Sequence, residues 1–66
     1  MKITYEIRDI VQLQDDVNVP DDLGACTVEL IKKLGNGQWE VALVAGDSEF
    51  IDEDQYVTIN EMWFIP

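Results

Sequence analysis

Carboxylates are the side chains that could do chemistry in this sequence. The chain has fourteen Asp and Glu residues, a single cysteine (Cys26), a single serine (Ser48) and no histidine. A serine or cysteine nucleophile needs an activating base, and histidine usually supplies it near neutral pH. Paired carboxylates can serve as general acid and base, but only when they flank a substrate cleft. Because a chain of 66 residues has too thin a core to enclose such a cleft, we expect no enzyme activity.

An oxygen-rich segment also raises the question of a metal site. Residues 47–54 hold five carboxylates, which are ligands that suit Ca²⁺ or Mg²⁺. They lack the alternating spacing of an EF-hand loop, and one cysteine without histidine cannot make a usual zinc site. The Gly-Asn-Gly run at residues 35–37 lacks the Lys-Ser/Thr pair that follows in a phosphate-binding loop. We therefore expect neither a metal nor a cofactor.

The balance of charge favours a basic protein as partner. Only four Lys and Arg residues are present, and the resulting net charge of −10 repels nucleic acid and anionic membranes. Solubility alone, or adaptation to salt, is the other interpretation of this charge. Many of the acids fall into two groups: Asp15, Asp16, Asp21 and Asp22, then Asp52, Glu53 and Asp54. We expect both groups at one end of the fold, as a rim that binds the partner.

Strands must position these groups, since apolar and polar residues alternate with the two-residue period of a half-buried strand. Five strands are predicted, at residues 2–8, 25–33, 38–44, 48–51 and 57–60, and the alternation occurs in the first three. Asp, Asn, Pro and Gly crowd residues 14–24, which predicts a long loop, and residues 52–55 predict a short turn. Asn36-Gly37 is a strong hairpin signal, because a type I′ turn needs positive φ at both central residues. No segment has the period of a helix.

Two of these strands place their apolar residues on one face. The residues predicted to point inward are Cys26, Val28 and Leu30 on one strand, and Trp39, Val41 and Leu43 on the next. Cys26 is therefore expected to be reduced and packed as a small hydrophobe. The apolar residues 62–66 are expected to pair with or cover the first strand, which would protect its edge.

Five or six short strands in one small domain, residues 1–66, predict an all-β barrel or two packed sheets. The order of features resembles an SH3-like barrel. The acidic loop corresponds to the first long loop of that fold, Trp39 opens the third strand, and Tyr56-Val57 follows a 3₁₀ turn. Short uncharacterised bacterial proteins of this shape are also similar, on the patterns at residues 11–13, 24–28 and 39–41. The resemblance covers about residues 9–60 and implies a five- to six-stranded SH3-like barrel.

The function we expect is that of a non-catalytic acidic protein that docks on a basic partner. Carboxylates on a small scaffold can imitate nucleic-acid phosphates, so the chain would inhibit a nucleic-acid-binding protein without binding nucleic acid itself. Small acidic phage-type inhibitors, including some anti-CRISPR proteins, are similar in size and charge. The alternative is an SH3-like peptide-binding module with Trp39 and Tyr56 as its aromatic face. Core packing is the competing interpretation of Trp39.

The sequence also supports expectations about the oligomeric state and the cellular location. Trp63, Phe64 and Ile65 either close the core of a monomer or leave an apolar patch for a homodimer. The first eight residues alternate polar and apolar types, unlike a signal peptide, and no apolar run is long enough for a membrane span. A cytoplasmic location is expected.

Overall fold

A computed structural model describes residues 4–46 and 55–65 of the chain. Within these ranges, four antiparallel strands form one open sheet in sequence order. The strands are β1 (Ile10–Gln12), β2 (Thr27–Gly35), β3 (Gln38–Ala45) and β4 (Tyr56–Asn60). Two 3₁₀ turns, Pro20–Asp22 and Glu61–Trp63, are the helical pieces in this part of the chain. The all-β prediction is confirmed at four strands, and the predicted strand at residues 48–51 lies outside the described residues.

The β2–β3 hairpin follows the sequence pattern closely. Asn36 and Gly37 have φ angles of 54° and 78°, as a type I′ turn requires. The register pairs Leu30 with Val41, so the inward residues of the two strands meet on one face. The predicted inward positions are confirmed, and they belong to this buried cluster: Val11, Leu13, Val19, Leu23, Cys26, Val28, Leu30, Trp39, Val41, Leu43, Ile59 and Phe64. We call the cluster the core and its side of the sheet the inner face.

The first strand begins later in the chain than the alternation of polar and apolar residues predicts. Residues 4–9 form no strand, and residues 6–9 make a turn in which Asp9 N–H donates to the Glu6 carbonyl at 3.1 Å. The Asp9 carboxylate accepts a hydrogen bond from Glu6 N–H at 2.9 Å, and Arg8 adopts a φ of 78°. The predicted strand is thus wrong over residues 4–8. A local side-chain bond gave the backbone an alternative to sheet pairing, which alternation cannot reveal.

The end of the chain pairs with β1, as the sequence predicts. Leu13 forms a β-bridge with Phe64. Two backbone bonds flank it, from Gln14 N–H to the Trp63 carbonyl and from Ile65 N–H to the Gln12 carbonyl, both at 2.8 Å. Phe64 is 2% exposed and meets the Tyr5 ring edge to face at 5.0 Å between centroids. This pairing covers the edge of β1 that β2 leaves open.

Candidate partner-binding loop

The predicted loop at residues 14–24 is confirmed, and we call it the acidic loop. Its two stems are joined by backbone bonds, from Leu13 N–H to the Cys26 carbonyl at 2.8 Å and from Ala25 N–H to the Gln14 carbonyl at 3.0 Å. Val19 and Leu23 are 4% and 0% exposed and belong to the core. Because its apolar residues pack into the core, the acidic loop covers the inner face of the sheet.

Asp16 organises the first half of the acidic loop. Its carboxylate accepts a hydrogen bond from Asn18 N–H at 2.8 Å, and its carbonyl accepts one from Val19 N–H at 3.2 Å. Gly24 lies against the same carbonyl, since a Cβ atom there would stand 2.8 Å from the Asp16 oxygen. Asp16 is half-buried, so this aspartate has a structural role beside any role in binding.

Asp21 and Asp22 form the second half of the acidic loop in an uncommon backbone conformation. Their φ angles are 60° and 59°, and Leu23 N–H donates to the Pro20 carbonyl across them at 3.3 Å. Aspartate tolerates this left-handed region better than most residues. The turn holds both side chains exposed. Backbone requirements and negative charge therefore both favour aspartate here.

Residues from the two halves of the acidic loop line a shallow concavity of about 150 Å³. Its lining residues are Asp15, Asp16, Val17, Val19, Asp22 and Gly24. Asp15 and Asp22 are exposed, and Val17 beside them is 99% exposed. No basic residue occurs anywhere in the acidic loop. The concavity can therefore receive a cationic side chain, with an apolar contact from Val17 next to it.

The second group of acids predicted for the rim lies outside the described residues. Asp52, Glu53 and Asp54 belong to that group. The structure thus brings together Asp15, Asp16 and Asp22 around one concavity and places Asp21 in the adjoining turn. A rim shared with residues 52–54 stays a prediction.

Trp39 and Tyr56, the predicted aromatic face, are not brought together. The register pairs Val41 with Val57 and Ala42 with Tyr56, so Trp39 points to the inner face and Tyr56 to the opposite side. Trp39 is 2% exposed, and its Nε1–H donates to Glu61 Oε2 at 3.2 Å. The placement agrees with core packing of Trp39 and leaves only Tyr56, at 57% exposure, accessible to a partner.

The remaining reactive or metal-binding side chains offer no further candidate site within the described residues. Cys26 is 1% exposed and packs in the core as predicted. Across residues 4–46 and 55–65, no three His, Cys, Asp or Glu side chains are grouped so that they could hold a metal ion. The same ranges contain no helix of the length and apolar character needed to span a membrane.

Comparisons with protein families, curated proteins and solved structures found no match to this chain.

Proposed function

We propose that the chain is a non-catalytic binding protein that docks its acidic loop on the basic surface of another protein. The observation that carries the proposal is the concavity, where Asp15 and Asp22 are exposed around a half-buried Asp16. A lysine or arginine side chain of a partner would meet the exposed carboxylates of Asp15 or Asp22 there. Such pairing steers encounter and fixes orientation, and it is strongest when the charges are held in place beforehand.

The order of the acidic loop supports a binding role over simple solvation. Val19 and Leu23 fix it to the core, and the Asp16 hydrogen bonds define its path. A loop that only increased solubility would not need a defined path, whereas a binding loop loses less conformational entropy when it is ordered in advance. Val17, at 99% exposure, adds an apolar contact that a protein partner can use and a dissolved cation cannot.

We also propose that the partner is a nucleic-acid-binding protein whose basic groove the acidic loop occupies. The support is chemical: the chain has a net charge of −10, and carboxylates on an ordered backbone offer a row of anionic oxygens as phosphates do. A groove evolved to bind phosphates would accept these oxygens. Binding would then exclude the nucleic acid and inhibit the partner.

The scaffold for this activity is proposed to be a small SH3-like barrel. Its support is the order of elements: a first strand, a long loop, a hairpin, a fourth strand, a 3₁₀ turn and a terminal segment. The bridge between Leu13 and Phe64 adds that segment beside β1 as a short fifth strand would. In this interpretation the 3₁₀ turn of the barrel is Glu61–Trp63, rather than the turn predicted at residues 52–55.

The test is capture of a partner by the immobilised chain, with a charge-matched control. In Asp15→Asn/Asp22→Asn the concavity loses two charges, while Glu6→Gln/Glu40→Gln removes two charges away from the acidic loop. We expect the wild type and the control to capture a basic protein, and the loop variant to lose about tenfold or more in affinity, since two desolvated charge contacts are removed. Equal loss in both variants would show that only net charge matters and would refute docking through the acidic loop.

Competition with nucleic acid then tests whether the captured partner is a nucleic-acid-binding protein or another basic protein. Duplex DNA or RNA is added to the captured complex at constant salt. Release of the partner, together with its direct binding to that nucleic acid, supports mimicry. If salt releases the partner but nucleic acid does not, docking through the acidic loop is retained and nucleic-acid mimicry is refuted.

A further inference from the structure

The side of the sheet opposite the core, which we call the outer face, carries an exposed apolar residue on each of its two outermost strands. The register aligns one residue from each strand in a row across this face: Ile10, Glu29, Ala42 and Tyr56. Ile10 and Tyr56, at the two ends of the row, are each 57% exposed. Residues paired in this way lie about 5 Å apart from strand to strand, so the row crosses the whole sheet.

The turn at residues 6–9 deepens this face into a groove. Arg8 N–H donates to the Leu30 carbonyl at 2.6 Å, which fixes the turn beside β2. Ile7, also 57% exposed, and Tyr56 then line a groove of about 260 Å³ together with Ile31. The register shift between Leu30 and Lys32 marks Ile31 as a bulged residue.

The outer face carries charges of both signs, although the chain as a whole is strongly acidic. Arg8 and Glu29 both line the groove, and Lys32 pairs with Glu40 across β2 and β3. Two of the four basic residues in the sequence therefore lie here with two carboxylates. The outer face therefore combines both signs of charge with exposed apolar side chains, which suits contact between two copies of the chain.

We propose that the outer face binds a second copy of the chain across a two-fold axis, with Arg8 of each copy facing Glu29 of the other. A two-fold interface brings one patch against itself, so a patch that is charged can be complementary to itself only if it carries both signs, as this one does. A different protein with a strongly basic or strongly acidic surface would fit a patch of one sign better than this mixed patch. Tyrosine, arginine and isoleucine also supply the large side chains that interface centres bury.

The area available is adequate for a reversible dimer. A standard interface buries roughly 800 Å² on each partner, about a sixth of the 4582 Å² accessible surface of this chain. One face of a four-stranded sheet is of that order. A chain this small also has a thin core, and association is a common way for such chains to gain stability.

Sedimentation of single and mixed variants tests the pairing. In Arg8→Glu each copy carries two carboxylates at the paired positions, and in Glu29→Arg each carries two cations. Each variant alone should self-associate about tenfold or more weakly than the wild type, because both symmetry-related attractions become repulsions. An equimolar mixture should associate again, since every contact in the mixed dimer joins opposite charges. Lys33→Glu changes the net charge as much as Arg8→Glu does, lies off this face, and should self-associate as the wild type does.

Several results would overturn the proposal. One is a wild type that stays monomeric up to about 0.5 mM, a concentration far above a micromolar dissociation constant. Another is a dimer that Arg8→Glu and Glu29→Arg both leave unchanged, or a mixture of these two variants that fails to associate again. If a variant does not fold, the amide chemical shifts of the wild type are measured as a function of protein concentration. They should change at Ile7, Ile10 and Tyr56. Changes confined to the acidic loop would refute association through the outer face.

Discussion

The acidic loop and the outer face show two ways in which one acidic chain can present a binding surface. In the acidic loop, exposed Asp15 and Asp22 stand without any basic residue, on a backbone fixed by buried Val19 and Leu23. The outer face has exposed apolar side chains and charges of both signs. A surface of one sign selects a partner of the opposite sign, whereas a surface of both signs can select itself.

The two surfaces also differ in how they depend on the core. The acidic loop has no regular strand of its own and keeps its shape through the residues it buries and the hydrogen bonds of Asp16. The outer face is the back of a hydrogen-bonded sheet, so its shape survives changes to the side chains that it exposes. Substitutions at buried loop residues should therefore alter partner binding, and those at outer residues should leave the fold intact.

The largest effect is expected from Leu23→Ala. Leu23 is fully buried, so truncation should lower the free energy of unfolding by about 2–5 kcal/mol, through lost burial and the cavity left behind. Chemical denaturation followed by fluorescence of the two tryptophans measures it. Ile10→Ala removes a similar side chain from the outer face and should cost less than about 1 kcal/mol. Equal losses would mean that the acidic loop is not anchored as described.

Gly24→Ala should have the next largest effect. The new Cβ would stand 2.8 Å from the Asp16 carbonyl oxygen, so the backbone of the acidic loop must move. We expect a loss of about 1–3 kcal/mol in stability, from overpacking, and weaker partner binding with self-association preserved. Gly35→Asn is the control: a Cβ there meets nothing within 4 Å, so any loss of stability comes from the φ of 91°, and partner binding should stay unchanged. Unchanged partner binding in Gly24→Ala would show that the path of the loop is unimportant.

The sequence was sufficient for the features that depend on neighbouring residues. Asn36-Gly37 specified the hairpin, and alternation placed Val28, Val41 and their neighbours inward. The acidic loop was recognisable from its turn-forming residues. In each case local chemistry and burial favour the same conformation, so the pattern was a reliable guide.

The register between distant strands was not available from the sequence. Trp39 and Tyr56 could be grouped as one surface only while the pairing of β3 with β4 was unknown. That pairing puts odd-numbered residues of both strands inward, and shifting it by one residue would reverse the faces. Because the register was unknown, the outer face could not be identified from the sequence either. Its one sequence signal was Ile10, which breaks the alternation on either side of it.

Salt should weaken partner binding without weakening self-association. Raising salt from about 0.05 to 0.5 M screens exposed charge pairs, so partner binding should weaken by about tenfold or more. Self-association should strengthen or stay constant, because salt also screens the repulsion between two chains of net charge −10. Sedimentation and a binding titration in the same buffers measure both. A parallel response would mean that both events use the same surface.

The smallest change in stability is expected for Asp21→Asn/Asp22→Asn, and it separates the two reasons for aspartate in the turn. Asparagine keeps the size of the side chain and adopts φ near 60° at least as readily, so the backbone requirement remains satisfied. Removing two adjacent negative charges should change the free energy of unfolding by less than about 0.5 kcal/mol, as for most exposed positions.

Partner binding should nevertheless weaken in this variant, because the charges and not the turn are proposed to meet the partner. Thermal unfolding and the capture experiment, run on the same preparation, give both quantities. If the variant were destabilised by more than about 1 kcal/mol while binding stayed at the wild-type level, the aspartates would serve the turn alone. If stability is kept and binding is lost, the backbone conformation of Asp21 and Asp22 serves to present their charge. That outcome would assign the negative charge of the acidic loop to recognition and not to solubility.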